Sequence, residues 1–187
     1  MSRLALRSSW RAAHFIVVDI ETSGRDDLIS YAAIPIDEGR IVAGRAVTGE
    51  GPPAGQAPPP LVSAMRRRIL VSHGADETLA FLRAHRAPLE RVRPRPALDT
   101  ALLWRLLSIH RREGDPGSRS LAEVAASLRL PSHRPHEAEG EALTTAQVFL
   151  ALATHLETHG RATVAALRSV GLRLRAWRLL HERNARL

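Results

Sequence analysis

The sequence predicts a single mixed α/β domain, on three observations. Its 187 residues suit one domain of ordinary size. An unbroken apolar, β-rich run from Phe15 to Asp19 (FIVVD) reads as a buried central strand. Farther along, short strand-like runs precede stretches of helical spacing, which gives a mixed strand and helix order. Hydrophobic residues make up 44% and charged residues 25%, enough apolar side chain for a core and too much for a disordered chain. No apolar run reaches the length of a membrane span, so no membrane partner is expected.

After the central strand, Leu28 to Ile36 and Arg40 to Val47 read as two more strands, rich in Ile, Val and Ala and joined by the turn signal Asp37-Glu38-Gly39. Three antiparallel strands thus open the fold. The text from Gly49 to Pro60 is GEGPPAGQAPPP, whose prolines and glycines continue neither a ladder nor a helix, and a mobile loop is expected there. A short fourth strand at Ile69 to Ser72 precedes a helix from Ala75 to about His85. Ala97 and Leu98 supply a fifth strand, followed by a helix from Thr100 to about His110. A loop at Arg112 to Ser118 leads to Ser120, placed to cap a short helix reaching about Leu128, and a long helix runs from about Glu139 to His159.

The segment from Arg161 to Leu187 sets Val164, Leu167, Val170, Leu174, Trp177 and Leu180 near one helical face, with Arg161, Arg168, Arg175, Arg178 and Arg186 on the other. Gly171 weakens such a helix by about 1 kcal/mol relative to alanine. The expected organisation is a domain over residues 1–159 and a basic amphipathic helix over 160–187. That helix covers the domain or a partner subunit, or its arginines touch nucleic acid. Removing it is expected to leave a folded domain.

Net charge is +8 and the sequence pI about 11.5, which favours a polyanionic partner such as nucleic acid. All 27 basic residues are arginine, and asparagine is nearly absent, the pattern of a GC-rich coding bias that weakens the argument from charge. The absence of cysteine excludes disulfides, thiol nucleophiles and cysteine metal clusters. The first residues carry arginines without an apolar signal core or a small-residue cleavage site, so the cytoplasm is the expected location.

The chemistry begins at the end of the first strand. Asp19 and Glu21 are two apart, so both carboxylates leave one face while Ile20 points to the other. Carboxylates at the end of an apolar strand are costly to desolvate, and a divalent cation is one compensator. Oxygen-only ligation suits Mg²⁺ or Mn²⁺. The plainer alternative is that the strand has ended and both acids are solvated.

The stretch FIVVDIETSG, with Trp10-Arg11 before it and Asp27 to Ile34 after it, resembles the first motif of the DEDDh (DnaQ-like) 3′-5′ exonuclease superfamily. This is the ribonuclease-H-like family of polymerase proofreading subunits. A second resemblance lies at HEAEGEALTTAQVFLAL, similar to the family's closing motif, a histidine and an aspartate five residues on, leading into an Ala-rich helix. His136 takes the histidine position. Glu141 takes the place of the aspartate. Asp99-Thr100 resembles an Asp-Thr dipeptide that opens a helix in the family, and helix capping suffices to explain it.

The resemblance spans roughly Trp10 to Leu156 and implies a ribonuclease-H-like, mixed five-stranded sheet flanked by helices. It also implies hydrolysis of phosphodiesters at a single-stranded DNA or RNA 3′ end, releasing nucleoside monophosphates. Asp19, Glu21 and Glu141 are then metal ligands, Glu21 also orients the water, and His136 is the general base. Thr22 is a substrate contact. Two Mg²⁺ or Mn²⁺ ions are expected, and a polymerase or another protein is an expected partner. The chain departs from the family in its middle motif, LVSHGADETLAFL. His73 matches a histidine there and is a candidate substrate contact, but Thr78 stands where the family has a metal-binding acid, so its role becomes at most substrate contact. Asp76 and Glu77 lie slightly upstream as candidate replacements. With neither in place, three acids remain and one ion is expected. The altered motif also supports a second reading, a non-catalytic module that keeps the fold for nucleic-acid binding or subunit interaction.

Overall fold

A computed structural model describes residues 8–23, 27–51, 56–85, 87 and 97–170. In chain order the elements are β1 (His14–Ser23), β2 (Asp27–Asp37), β3 (Arg40–Ile41), β4 (Val47–Glu50), α1 (Pro59–Met65), β5 (Ile69–Ser72), α2 (Ala75–Ala84), β6 (Leu98–Asp99), α3 (Thr100–His110), α4 (Leu121–Ser127) and α5 (Ala138–Glu157). The sheet order is β3-β2-β1-β5-β6, with β4 also paired to β2, so β3 and β4 share one edge and the sheet is five strands wide. β1 runs antiparallel to β2 and parallel to β5, and β5 runs parallel to β6. This is the ribonuclease-H-like, mixed sheet flanked by helices.

β1 is central because both of its faces are apolar. Phe15 and Val17 point into a core shared with α3, α4 and α5, while Ile16 and Val18 point into a second core with α1 and α2. Phe149 of α5 meets Phe15 edge-on, with ring centroids 4.8 Å apart. The same alternation, continued past Val17, carries Asp19 and Glu21 toward the α5 side.

Local chemistry explains the helix starts. Ser120 and Glu123 form a reciprocal capping box at α4, as the Ser120 signal predicts. The Asp99 carboxylate accepts from Ala101 N at the start of α3 (2.9 Å) and from Gly74 N and Ala75 N at the start of α2 (3.2 and 3.0 Å). One side chain thus caps two helices.

Two expectations need correction. The strand expected over Arg40 to Val47 is broken by a 3-10 turn at Ala43–Arg45, where alanine and glycine have little preference for extended structure, and pairing with β2 resumes over Val47–Glu50. The loop expected over 49–60 is invaded from both ends, by β4 and by α1; its middle, residues 52–55, lies outside the described residues. Pro59 and Pro60, two of the prolines taken as breakers, stand in the first turn of α1, where a missing N–H is harmless.

The stripe of the 160–187 segment does cover the domain over its described part. Val164, Leu167 and Val170 are each at most 2% exposed and belong to the α3–α5 core, and Trp10 N donates to the Ala162 carbonyl (3.0 Å). Leu174, Trp177, Leu180 and the arginines from Arg175 onward lie outside the described residues. Among the described residues no helix is long and apolar enough to cross a membrane.

Candidate active site

At the end of β1, Asp19 meets Glu141, which α5 presents from its first turn. Glu21, two residues on, completes a group in which one carboxylate oxygen from each acid lies within 4.8 Å of the others. Asp19 is the innermost. Its Oδ2 is buried and has no hydrogen-bond partner. Burial, then the negative charge of Glu141, then that of Glu21, push the Asp19 carboxyl up to about 8. Glu21 is raised as well, first by burial and then by Glu141, with His136 pulling the other way. Three carboxylates sharing a poorly solvated corner is unfavourable unless a cation joins them, and an orphaned buried carboxylate oxygen is what an oxygen-ligated divalent ion would satisfy.

His136 sits in the loop leading into α5, with a left-handed backbone (φ 65°). Its backbone N donates to Glu141 Oε1 at 3.0 Å, and the side chain borders the same cleft as the acids. That cleft has a volume of about 760 Å³. Its opposite wall is the face of α2 carrying Glu77, Ala80, Phe81 and Ala84, and Thr22 also borders it.

The structure therefore brings Asp19, Glu21, Glu141, His136 and Thr22 together. Glu77 is exposed on the cleft wall but lies outside the three-acid group, and Asp76 does not border the cleft. Thr78 borders it with a buried side chain whose hydroxyl is hydrogen-bonded to that of Ser72 at 2.7 Å. His73 also borders the cleft, and its ring ties two parts of the chain together: Nδ1 contacts Thr100 Oγ1 and Nε2 contacts the Arg119 carbonyl, both at 2.9 Å. The apolar wall of Ala80, Phe81 and Ala84 escapes a motif-based reading. The 77-80-81-84 spacing on a helix beginning at Ala75 is the signal that points to it.

No protein-family model matches the chain. It is similar to the DNA polymerase III subunit epsilon-like protein of Rhodobacter capsulatus, 29% identical over 184 residues and covering 82% of this chain. It is equally similar to a PolC-type DNA polymerase III of Thermotoga petrophila, 29% identical over 177 residues and 79% of this chain. Among solved structures, Brucella melitensis NrnC with bound Mg²⁺ has the same fold, with a TM-score of 0.53 and 18% identity over 95% of this chain and 91% of that one. The chain is thus similar in sequence to polymerase III epsilon-like and PolC-type proteins and shares the fold of NrnC. It spans 25% and 12% of the lengths of the two relatives it matches. Thr78, where the resemblance places an acid, has a buried, hydroxyl-bonded side chain that borders the cleft the acids share.

Proposed function

We propose that this chain is a divalent-metal-dependent 3′-5′ exonuclease that removes nucleoside monophosphates from single-stranded DNA or RNA ends. The observation that carries the reading is the Asp19, Glu21 and Glu141 group, in which a buried carboxylate oxygen has no partner within the protein. NrnC, which shares the fold, binds Mg²⁺. Asp19, Glu21 and Glu141 would hold Mg²⁺ or Mn²⁺. When bound, the cation supplies positive charge against the charge that develops on the phosphodiester.

The chain's own residues supply the rest. His136, at the cleft edge beside Glu21, takes the proton of the attacking water as general base. Water oxygen bonds to phosphorus while the bond from phosphorus to the preceding nucleotide's 3′ oxygen breaks. The terminal nucleotide leaves as a monophosphate. Thr22 and the α2 wall border the space for that nucleotide. A polymerase subunit or another protein is the proposed partner, and the cytoplasm the proposed location.

A second reading, a non-catalytic nucleic-acid or subunit-binding module, is favoured by Thr78, which replaces an acid and is bonded to Ser72. The experiment is incubation of 5′-labelled and 3′-labelled DNA and RNA oligomers with Mg²⁺ or Mn²⁺, with products resolved by size. The exonuclease gives stepwise shortening from the 3′ end, lost in Asp19→Ala. Calorimetry with Mn²⁺ should show binding for the enzyme and none for the module. Cleavage retained in Asp19→Ala, or shortening from the 5′ end, overturns the proposal.

A further inference from the structure

Gly140 lies one residue before Glu141 in the first turn of α5, where a glycine weakens the helix. Its backbone is in the ordinary helical region, so conformational freedom does not explain it. Space does. A Cβ on Gly140 would stand 2.5 Å from the His133 carbonyl oxygen, 2.6 Å from that of Arg134 and 2.7 Å from Arg134 Cβ, so the incoming loop rests directly on the helix backbone. One turn on, fully buried Thr144 makes two hydrogen bonds with its hydroxyl: His133 N donates to it at 2.9 Å, and it donates to the Gly140 carbonyl at 2.9 Å. Gln147 Oε1 meets His133 Nε2 at 3.1 Å. Residues 140, 144 and 147 form one stripe along the helix. The loop seated on that stripe carries His136, whose N–H reaches Glu141 Oε1.

We infer that the Gly140–Thr144 stripe is a positioning seat, which fixes the loop so that His136 stands at the acid group and its N–H orients the Glu141 carboxylate. Neither residue lines the cleft of the acids. The inference rests on the exonuclease reading for its consequence in catalysis, but the seat itself is a property of the folded chain. Gly140→Ala displaces the loop by steric clash. Thr144→Val removes the two hydrogen bonds at nearly constant volume and is the milder change, and Thr144→Ser restores the hydroxyl.

The test uses the full chain and two measurements. In NMR, amide exchange of His136 should become at least tenfold faster in Thr144→Val and Gly140→Ala than in the parent, and Thr144→Ser should return it to near the parent rate, with the β1 amides unchanged in all. In kinetics, Thr144→Val should lower kcat at least tenfold with KM for the oligomer within about twofold, and Thr144→Ser should recover most of it. Unchanged His136 exchange in Thr144→Val overturns the seat, whether or not the protein cleaves nucleic acid. Faster exchange with full kcat overturns its role in positioning the general base. A parent protein that never cleaves, yet shows the exchange pattern, keeps the seat and sinks the exonuclease reading alone.

Discussion

Replacing Asp19 by asparagine should stabilise the metal-free protein at neutral pH while abolishing its function. The folded chain holds the Asp19 carboxyl near 8 against an ordinary 3.8. Between those values the folded state binds a proton that the unfolded state does not, so stability falls as pH rises through the window. At about 1.4 kcal/mol per pKa unit, this costs the fold about 4 kcal/mol at pH 7. Asparagine removes that cost but leaves a buried amide with unmet donors, which returns roughly 1–3 kcal/mol. The net gain of about 1–3 kcal/mol corresponds to a melting point higher by about 2–12 °C for a chain of this size. Calorimetry in chelator at pH 8 and pH 4.5 checks it, because near pH 4.5 the parent carboxyl is protonated in the fold at little cost and the gain should vanish or reverse. Adding Mn²⁺ should then raise the melting point of the parent and not of Asp19→Asn. An Asp19→Asn melting point below the parent's by the same margin at both pH values would refute the reasoning.

The remaining expectations concern four other places in the fold. His136→Ala should cut turnover by about 10²–10⁴-fold, the range for a lost general base, while Mn²⁺ affinity by calorimetry is retained, since Glu141 is held by the backbone N–H of this residue. Thr78→Asp adds a carboxylate to the cleft and should raise Mn²⁺ affinity roughly tenfold together with turnover, whereas Glu77→Ala should change either little; the opposite pattern would make Glu77 the fourth ligand. Asp37 accepts from Arg68 Nη1 (2.6 Å) and contacts His14 and Arg45, partners that hold its carboxyl far below the usual range. Asp37→Asn should therefore cost about 1–3 kcal/mol at pH 7 in a denaturant titration, a difference that starts to shrink as pH falls below about 4 and is lost only as the folded carboxyl itself protonates, well below that. Ending the chain at Gly160 strips Val164, Leu167 and Val170 from the core, a loss of roughly 5 kcal/mol that approaches the whole stability of a domain, and gel filtration with near-ultraviolet dichroism should show an aggregated or molten product.

That last expectation reverses the one drawn from sequence, and the reason is physical. An apolar stripe on a helix shows that something is covered, but it does not show what. Contacts distant in sequence, the bridge between Ser9 and Thr163 and the bond from Trp10 N to the Ala162 carbonyl, place its first turns on the main core. Much else was legible. FIVVD announces a strand buried on both faces because apolar residues occupy both parities, and the same parity argument sets Asp19 and Glu21 on one side. Glu141 could be joined to them only through the family resemblance, since spacing within a sequence says nothing of a contact made across more than a hundred residues. α1 was missed because its prolines are equally at home in a loop and in a first helical turn. The partners of His73 were not legible for a related reason: a motif position identifies a residue, but Thr100 and the Arg119 carbonyl come from distant parts of the chain.

The double cap made by Asp99 bears on how a polyanion can enter. The amino end of α2 opens onto the cleft at Gly74, and the free N–H groups of such a helix end commonly cradle phosphate. Here the Gly74 and Ala75 N–H groups already face the Asp99 carboxylate. An internal anion thus stands where a phosphodiester would otherwise lodge, next to a floor that is itself acidic. Any phosphate group of the proposed substrate must then be held by other groups of the cleft, and a cation on Asp19, Glu21 and Glu141 would supply the positive charge that this helix end does not.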